Sequence, residues 1–132
     1  MKKTLGILKP DLYKRNLQKN ALKDLENIFG PISQYKHMTF SKELAENFYQ
    51  EHKEKPFFSK LVNIITSAPV VVFILEGDDI ITKYRENIGA TNPKEAKEGT
   101  LRKKYGISID ENSFHGSANE TDAIREINLI FN

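Results

Sequence analysis

The chain of 132 residues contains no cysteine. Disulfide frameworks, thiolate zinc sites and cysteine nucleophiles are excluded together by that absence. An excess of either charge is missing too: 20 Lys and Arg stand against 18 Asp and Glu, and a formal net charge of +2 does not point to nucleic acid or a membrane surface. Long apolar runs are also absent. The opening MKKTLGILKPDLYKR is broken at Lys9, Pro10 and Asp11, which leaves it too short for a secretory or membrane-spanning segment, so a cytoplasmic location is the expected default. No internal repeat, low-complexity tract or GxxxxGK[ST] loop occurs, and Gly89 and Gly99 are too far apart to imitate one. Any phosphate must then be held by side chains.

With 39% hydrophobic and 29% charged residues, the composition suits one globular domain spanning 1–132. Leu5, Ile7 and Leu8 read as a short strand that delivers Lys9 to a turn, because Pro10 biases the residue before it away from helix. Leu17, Ala21, Leu25 and Ile28 recur at helical spacing and stop at Gly30-Pro31. Residues 32–40 alternate as a half-exposed strand, and Ser41 offers an N-cap to a helix carrying Leu44, Ala45, Phe48 and Tyr49. A further helical stripe of Phe58, Leu61, Val62 and Ile65 follows Pro56, making a hairpin-like pair. The β-branched run from Val70 to Leu75 predicts a strand at the sheet centre, buried on both faces. Ile80, Ile81, Tyr84 and Ile88 suggest a helix, and 89–112 reads as a long polar loop. Glu120 to Arg125 fits a short helix; Ile127, Leu129 and Phe131 alternate as a strand would, although periodicity alone leaves open a continuing helix. The order is that of an α+β, ferredoxin-like βαββαβ arrangement: a four-stranded antiparallel sheet with helices on one face.

Among candidate functional groups, His115 stands in Asn112-Ser113-Phe114-His115-Gly116-Ser117, before a glycine that permits close approach of backbone to ligand. A neutral imidazole is a capable nucleophile toward phosphorus. On the segment alone, a histidine satisfied by a loop hydrogen bond is the competing reading. Taken singly, Glu126 reads as a surface glutamate, Arg102 as one of the solvated charges of Arg102-Lys103-Lys104, and Tyr49 as the edge of an apolar stripe. Phe57, Leu61 and Ile109 read as core, as does Phe58. His37 and His52 have no partners at metal-ligand spacing and read as surface or core residues.

Several segments carry a joint signal, in order and at matching separations. Gly6-Ile7-Leu8-Lys9-Pro10-Asp11, Tyr49 ahead of Pro56-Phe57-Phe58, Ser67-Ala68-Pro69-Val70-Val71, Gly89-Ala90-Thr91-Asn92-Pro93, Gly99-Thr100-Leu101-Arg102 and the His115 segment together resemble nucleoside diphosphate kinase over essentially the whole chain. The resemblance implies transfer of the γ-phosphoryl group of a nucleoside triphosphate, typically ATP, to a nucleoside diphosphate. The route it implies is ping-pong through phosphohistidine at His115. It further implies that Glu126 hydrogen-bonds the imidazole and Tyr49 lies beside it. Lys9, Arg85, Thr91 and Arg102 would cradle the phosphates, and Lys9 and Asn112 would also reach the sugar. The base would stack on Phe57 with Leu61 and Ile109 as apolar neighbours, and Gly116 would lie against the nucleotide. Stacking tolerates any base, so broad nucleotide specificity is expected. Mg2+ is expected on the nucleotide phosphates without a dedicated protein site, Glu51 being the one candidate carboxylate. A homo-oligomer is implied, dimers assembled into a tetramer or hexamer.

Two positions depart from the family pattern: Ala118 stands where an aspartate often follows His-Gly-Ser, and Lys19 replaces a common glycine of the first helix. The chain also ends at Asn132, without the family's usual C-terminal extension. A nucleic-acid module on the same fold and a catalytically silent scaffold are the competing classes. The near-neutral charge and the lack of aromatics clustered on a strand count against the former.

Overall fold

In the computed structural model, which describes residues 2–131, β1 (Lys2–Leu8) is buried from Thr4 onward and runs into the short helix α1 (Pro10–Lys14). Proline fits the first helical turn, where its missing N–H has no partner to lose, so the turn expected at Lys9-Pro10-Asp11 is also a helix start. Then come α2 (Gln18–Phe29), β2 (Gln34–Met38), α3 (Lys42–Phe48), α4 (Phe58–Thr66), β3 (Val70–Gly77) and α5 (Ile80–Ile88). The chain closes with α6 (Leu101–Tyr105), β4 (Phe114–Gly116) and α7 (Glu120–Phe131). Ser41 caps α3, its side chain accepting from Leu44 N at 3.0 Å.

The sheet order is β2-β3-β1-β4, antiparallel throughout, with β3 and β1 central. Helices cover both faces rather than the one expected. Val71, Phe73 and Leu75 of β3 pack with α2 and α5 residues such as Leu25 and Tyr84, whereas Val70 and Val72 pack with Phe48, Val62 and Ile130 of α3, α4 and α7. Neighbouring side chains on a strand point to opposite faces, so the continuous apolar run of β3 requires this double cover.

Two further expectations are corrected. The alternation of Ile127, Leu129 and Phe131 is helical: α7 continues through Phe131, begins under an Asn119 cap whose Oδ1 accepts from Asp122 N at 2.8 Å, and buries Ala123, Glu126 and Ile130 at helical spacing. The fourth strand is instead the three-residue β4, which carries His115 and pairs Leu8 with Phe114, Ile7 with His115 and Gly6 with Gly116. The segment 89–112 is not all loop; it holds a 3-10 turn at Pro93–Glu95 and α6, each capped by the side chain of the residue before it, Asn92 and Thr100.

Candidate active site

The site begins from β4. Directly paired residues of antiparallel strands share a face, so His115, opposite Ile7, lies on the side of the sheet covered by α3, α4 and α7. Its ring meets Phe48 edge-on with centroids 5.1 Å apart. From α7, Glu126 Oε1 lies 2.9 Å from His115 Nε2 and accepts from Ser117 Oγ at 2.7 Å; Ser117 Oγ in turn accepts from Leu5 N at 3.2 Å. Burial alone would push the Glu126 carboxyl up; the hydrogen bonds from His115 and Ser117 and the charge of Arg125 outweigh it and hold the group below its usual range. An ionised Glu126 accepts, so Nε2 carries the proton and Nδ1 keeps its lone pair, with no hydrogen bond to any described residue. The Tyr84 hydroxyl donates to the His115 carbonyl at 2.9 Å and fixes the strand from the opposite face.

A cavity of about 600 Å³ opens in front of this pair. Its cationic wall includes Lys9 just after β1, Arg85 on α5 and Arg102 on α6, with Thr91 from the segment between α5 and α6 and Asn112 from the segment between α6 and β4. The apolar wall consists of Tyr49, Phe57, Leu61 and Ile109, the last of these 58% exposed. With His115, Gly116 and Glu126, every residue that the family resemblance assigns to the site lines this one cavity. None of the three cations has an ion-pair partner among the described residues. Lys9 Nζ donates to Asn112 Oδ1 at 2.9 Å, and the Asn112 amide donates to the carbonyls of Thr91 and Ile109 at 3.2 and 3.0 Å. Desolvation first, and then the charge of Arg102, lower Lys9 to about 8. Arg102 is itself lowered by burial, a push reinforced by Arg85 and opposed by Tyr84. Cations crowded to the point of depressing one another form a cluster suited to a multiply charged anion.

Arg102 is not the solvated charge its neighbours suggested: it is 8% exposed and its guanidinium donates to Gly89 O at 2.8 Å and Phe114 O at 2.7 Å. The ring packed on the imidazole is Phe48, while Tyr49 sits one step behind it, its centroid 5.1 Å from that of Phe48; burial pushes the Tyr49 phenol well up. Gly116 lines the cavity, and a Cβ there would meet the Tyr84 ring at 2.9 Å, so packing against α5 demands glycine. His52, read as surface or core, lines the cavity between Tyr49 and Phe57. Phe58 does pack into the core. Phe48, Ser117, Tyr84 and His52 escaped sequence reading as site residues; only Ser117, inside the His-Gly-Ser segment, carried a signal.

Fold and site together define a class, that of α+β proteins built on an antiparallel sheet whose cavity sets a histidine–carboxylate pair before a cluster of cations, with no GxxxxGK[ST] loop in the sequence. A family model described as Nucleoside diphosphate kinase matches residues 2–132, and the chain belongs to that family. Curated relatives bearing that name include one from Erythrobacter litoralis, 48% identical over 98% of this chain and 92% of its own, and one from Lawsonia intracellularis, 44% identical over 100% and 96%. The solved nucleoside diphosphate kinase of Aquifex aeolicus superposes with a TM-score of 0.94 at 35% identity, covering 99% of this chain and 95% of its own. That of Halobacterium salinarum, solved in complex with CDP, gives 0.93 at 38% identity over 99% and 88%. The family's enzymes move the γ-phosphoryl group between nucleotides by a ping-pong route through a phosphohistidine.

Proposed function

We propose that this chain carries out the family reaction through His115, with nucleoside di- and triphosphates as substrates. The observation that carries the reading is the His115–Glu126 pair at 2.9 Å, facing a cavity lined by three cations that have no counter-ions among the described residues. The Nδ1 lone pair forms a bond to the γ-phosphorus while the bond to the bridging oxygen breaks, and that oxygen leaves with the diphosphate and its electron pair. The phosphorylated ring, still protonated at Nε2, is cationic, and the Glu126 carboxylate stabilises it. The terminal oxygen of a second diphosphate then attacks phosphorus and regenerates the free imidazole.

In this reading Lys9, Arg85, Thr91 and Arg102 hold the phosphates, Lys9 and Asn112 the sugar, and Phe57 the base, with Leu61 and Ile109 beside it. Gly116 lies against the nucleotide, and Tyr49 is part of the catalytic wall. Mg2+ would accompany the nucleotide and neutralise phosphate charge; of the four carboxylates that line the cavity, Asp110 is paired with Lys60 and Glu126 with His115, which leaves Glu51 and Asp122 for an ion that would take most of its oxygens from phosphate and water. We further propose a single domain over 1–132, supported by two core clusters that share one sheet, and a homo-oligomer, supported by the unpaired edge of β2 and its 48% exposed Tyr35. Cytoplasmic placement is consistent with the described residues, which hold no helix long and apolar enough to cross a membrane.

The test is incubation with γ-labelled ATP followed by GDP. Acid-labile, base-stable label on the protein that moves to GDP is expected, and His115→Ala should take up none. Wild-type protein that turns over nucleotide without labelling His115 would remove the reading.

A further inference from the structure

Between the sugar-side wall and the strand bearing His115 lies a strained residue. Ser113 has a φ of +70°, a left-handed conformation uncommon for a residue with a Cβ. Phe114 N donates to Asn112 O at 2.8 Å, which makes Asn112, Ser113 and Phe114 a γ-turn of the rare kind with positive φ at its centre. Such a conformation persists only where its surroundings over-determine it. Here Ser113 N donates to Asp11 Oδ1 at 3.2 Å, Ser113 Oγ donates to Asp11 Oδ2 at 2.6 Å, and Ser113 O accepts from Lys9 N at 2.8 Å. Arg15 Nη2 holds the clamp from behind, 2.9 Å from Asp11 Oδ2 and 2.7 Å from the Tyr105 carbonyl. Asp11 and Ser113 are 5% and 0% exposed, and neither lines the cavity, whereas Asn112, Phe114 and His115 do.

We infer that Asp11 and Ser113 are positioning residues for phosphoryl transfer. The Asp11 carboxylate clamps the γ-turn at Ser113, and that turn sets the direction in which the Asn112 amide and the His115 ring enter the cavity. The inference rests on the role of His115 proposed above. Asp11 belongs to the first turn of α1, directly after Lys9, and Ser113 to the segment before β4, so the clamp also locks together the two chain segments that carry Lys9 and His115.

The experiment measures the maximal rate of His115 phosphorylation by saturating γ-labelled ATP in a single half-reaction, per folded protein as judged by circular dichroism. Wild type is compared with Asp11→Ala and Asp11→Asn, each alone and combined with Ser113→Gly. Glycine adopts positive φ without a clamp, so it substitutes for the clamp in geometry and for none of its hydrogen bonds. Asp11→Ala should slow phosphorylation about tenfold or more, as small misplacements of reacting groups do, and adding Ser113→Gly should restore about threefold or more. Asp11→Asn, which keeps an oxygen acceptor, should show the same pattern with a smaller loss and serves should Asp11→Ala fail to fold. Single variants that label at the wild-type rate overturn the inference, and so do slow single variants that Ser113→Gly leaves unchanged. Absence of label on wild-type His115 counts instead against the reading on which the inference rests.

Discussion

In the proposed reaction the chemistry at His115 turns on which ring nitrogen holds the proton, and the carboxylate of Glu126, 2.9 Å from Nε2, is the group proposed to decide it. Glu126→Gln keeps the shape but offers an amide that can donate to Nε2 and favour the wrong tautomer; phosphorylation of His115 should slow by at least about tenfold, measured by rapid quench with γ-labelled ATP. Lys9, lowered to about 8 by desolvation and by Arg102, gives the site a pH edge. In the free enzyme it is charged below that value and neutral above it, so kcat/KM for ATP should fall as pH rises through about 8. In Lys9→Arg, which does not titrate in this range, the same edge should be absent from the profile. His115 and Glu126 were legible in the sequence only because segments far apart matched one pattern together. Phe48 and Tyr84 were not, because a phenylalanine or tyrosine on an apolar stripe looks the same whether it packs in the core or braces a catalytic ring.

At the scale of elements, β1 and β3 were readable from apolar runs, and α3 from its Ser41 cap, because these signals are local. Ser41→Ala should cost about 1 kcal/mol in urea unfolding. The fourth strand was not readable: three residues are too few for a period to show, and β4 exists because β1 offers it an edge. α7 was half readable, since Ile127, Leu129 and Phe131 fit both periods until the burial of Glu126 and Ile130 decides between them. Close approach of elements makes its own demand at Gly6, where an added Cβ would lie 2.2 Å from the ring of its cross-strand partner Phe73. Gly6→Ala should destabilise the protein by about 1–3 kcal/mol, read as a lower urea midpoint at unchanged m-value. If the midpoint stays put, the ring has room to move and the packing described for β1 and β3 is wrong.

Over the whole molecule, the site is a product of topology. Lys9 at the junction of β1 and α1, together with α3, α4, α5, α6, β4 and α7, contributes to one cavity, and no window of the chain contains more than a fragment of it. The double layer of helices makes this possible: one face of the sheet supplies Tyr84 under the catalytic strand, while the other supplies Phe48 and Glu126 around the ring. Because both clusters rest on a shared sheet, thermal unfolding should proceed as one cooperative transition by near- and far-ultraviolet circular dichroism; two separated transitions would contradict a single domain. The central claim is that Glu126 holds Nε2 so that Nδ1 attacks phosphorus. Phosphorus and nitrogen NMR of the isolated phosphoenzyme tests it most directly: phosphate bonded to Nδ1 of His115 is the predicted result, and phosphate on Nε2, or on another side chain, contradicts it.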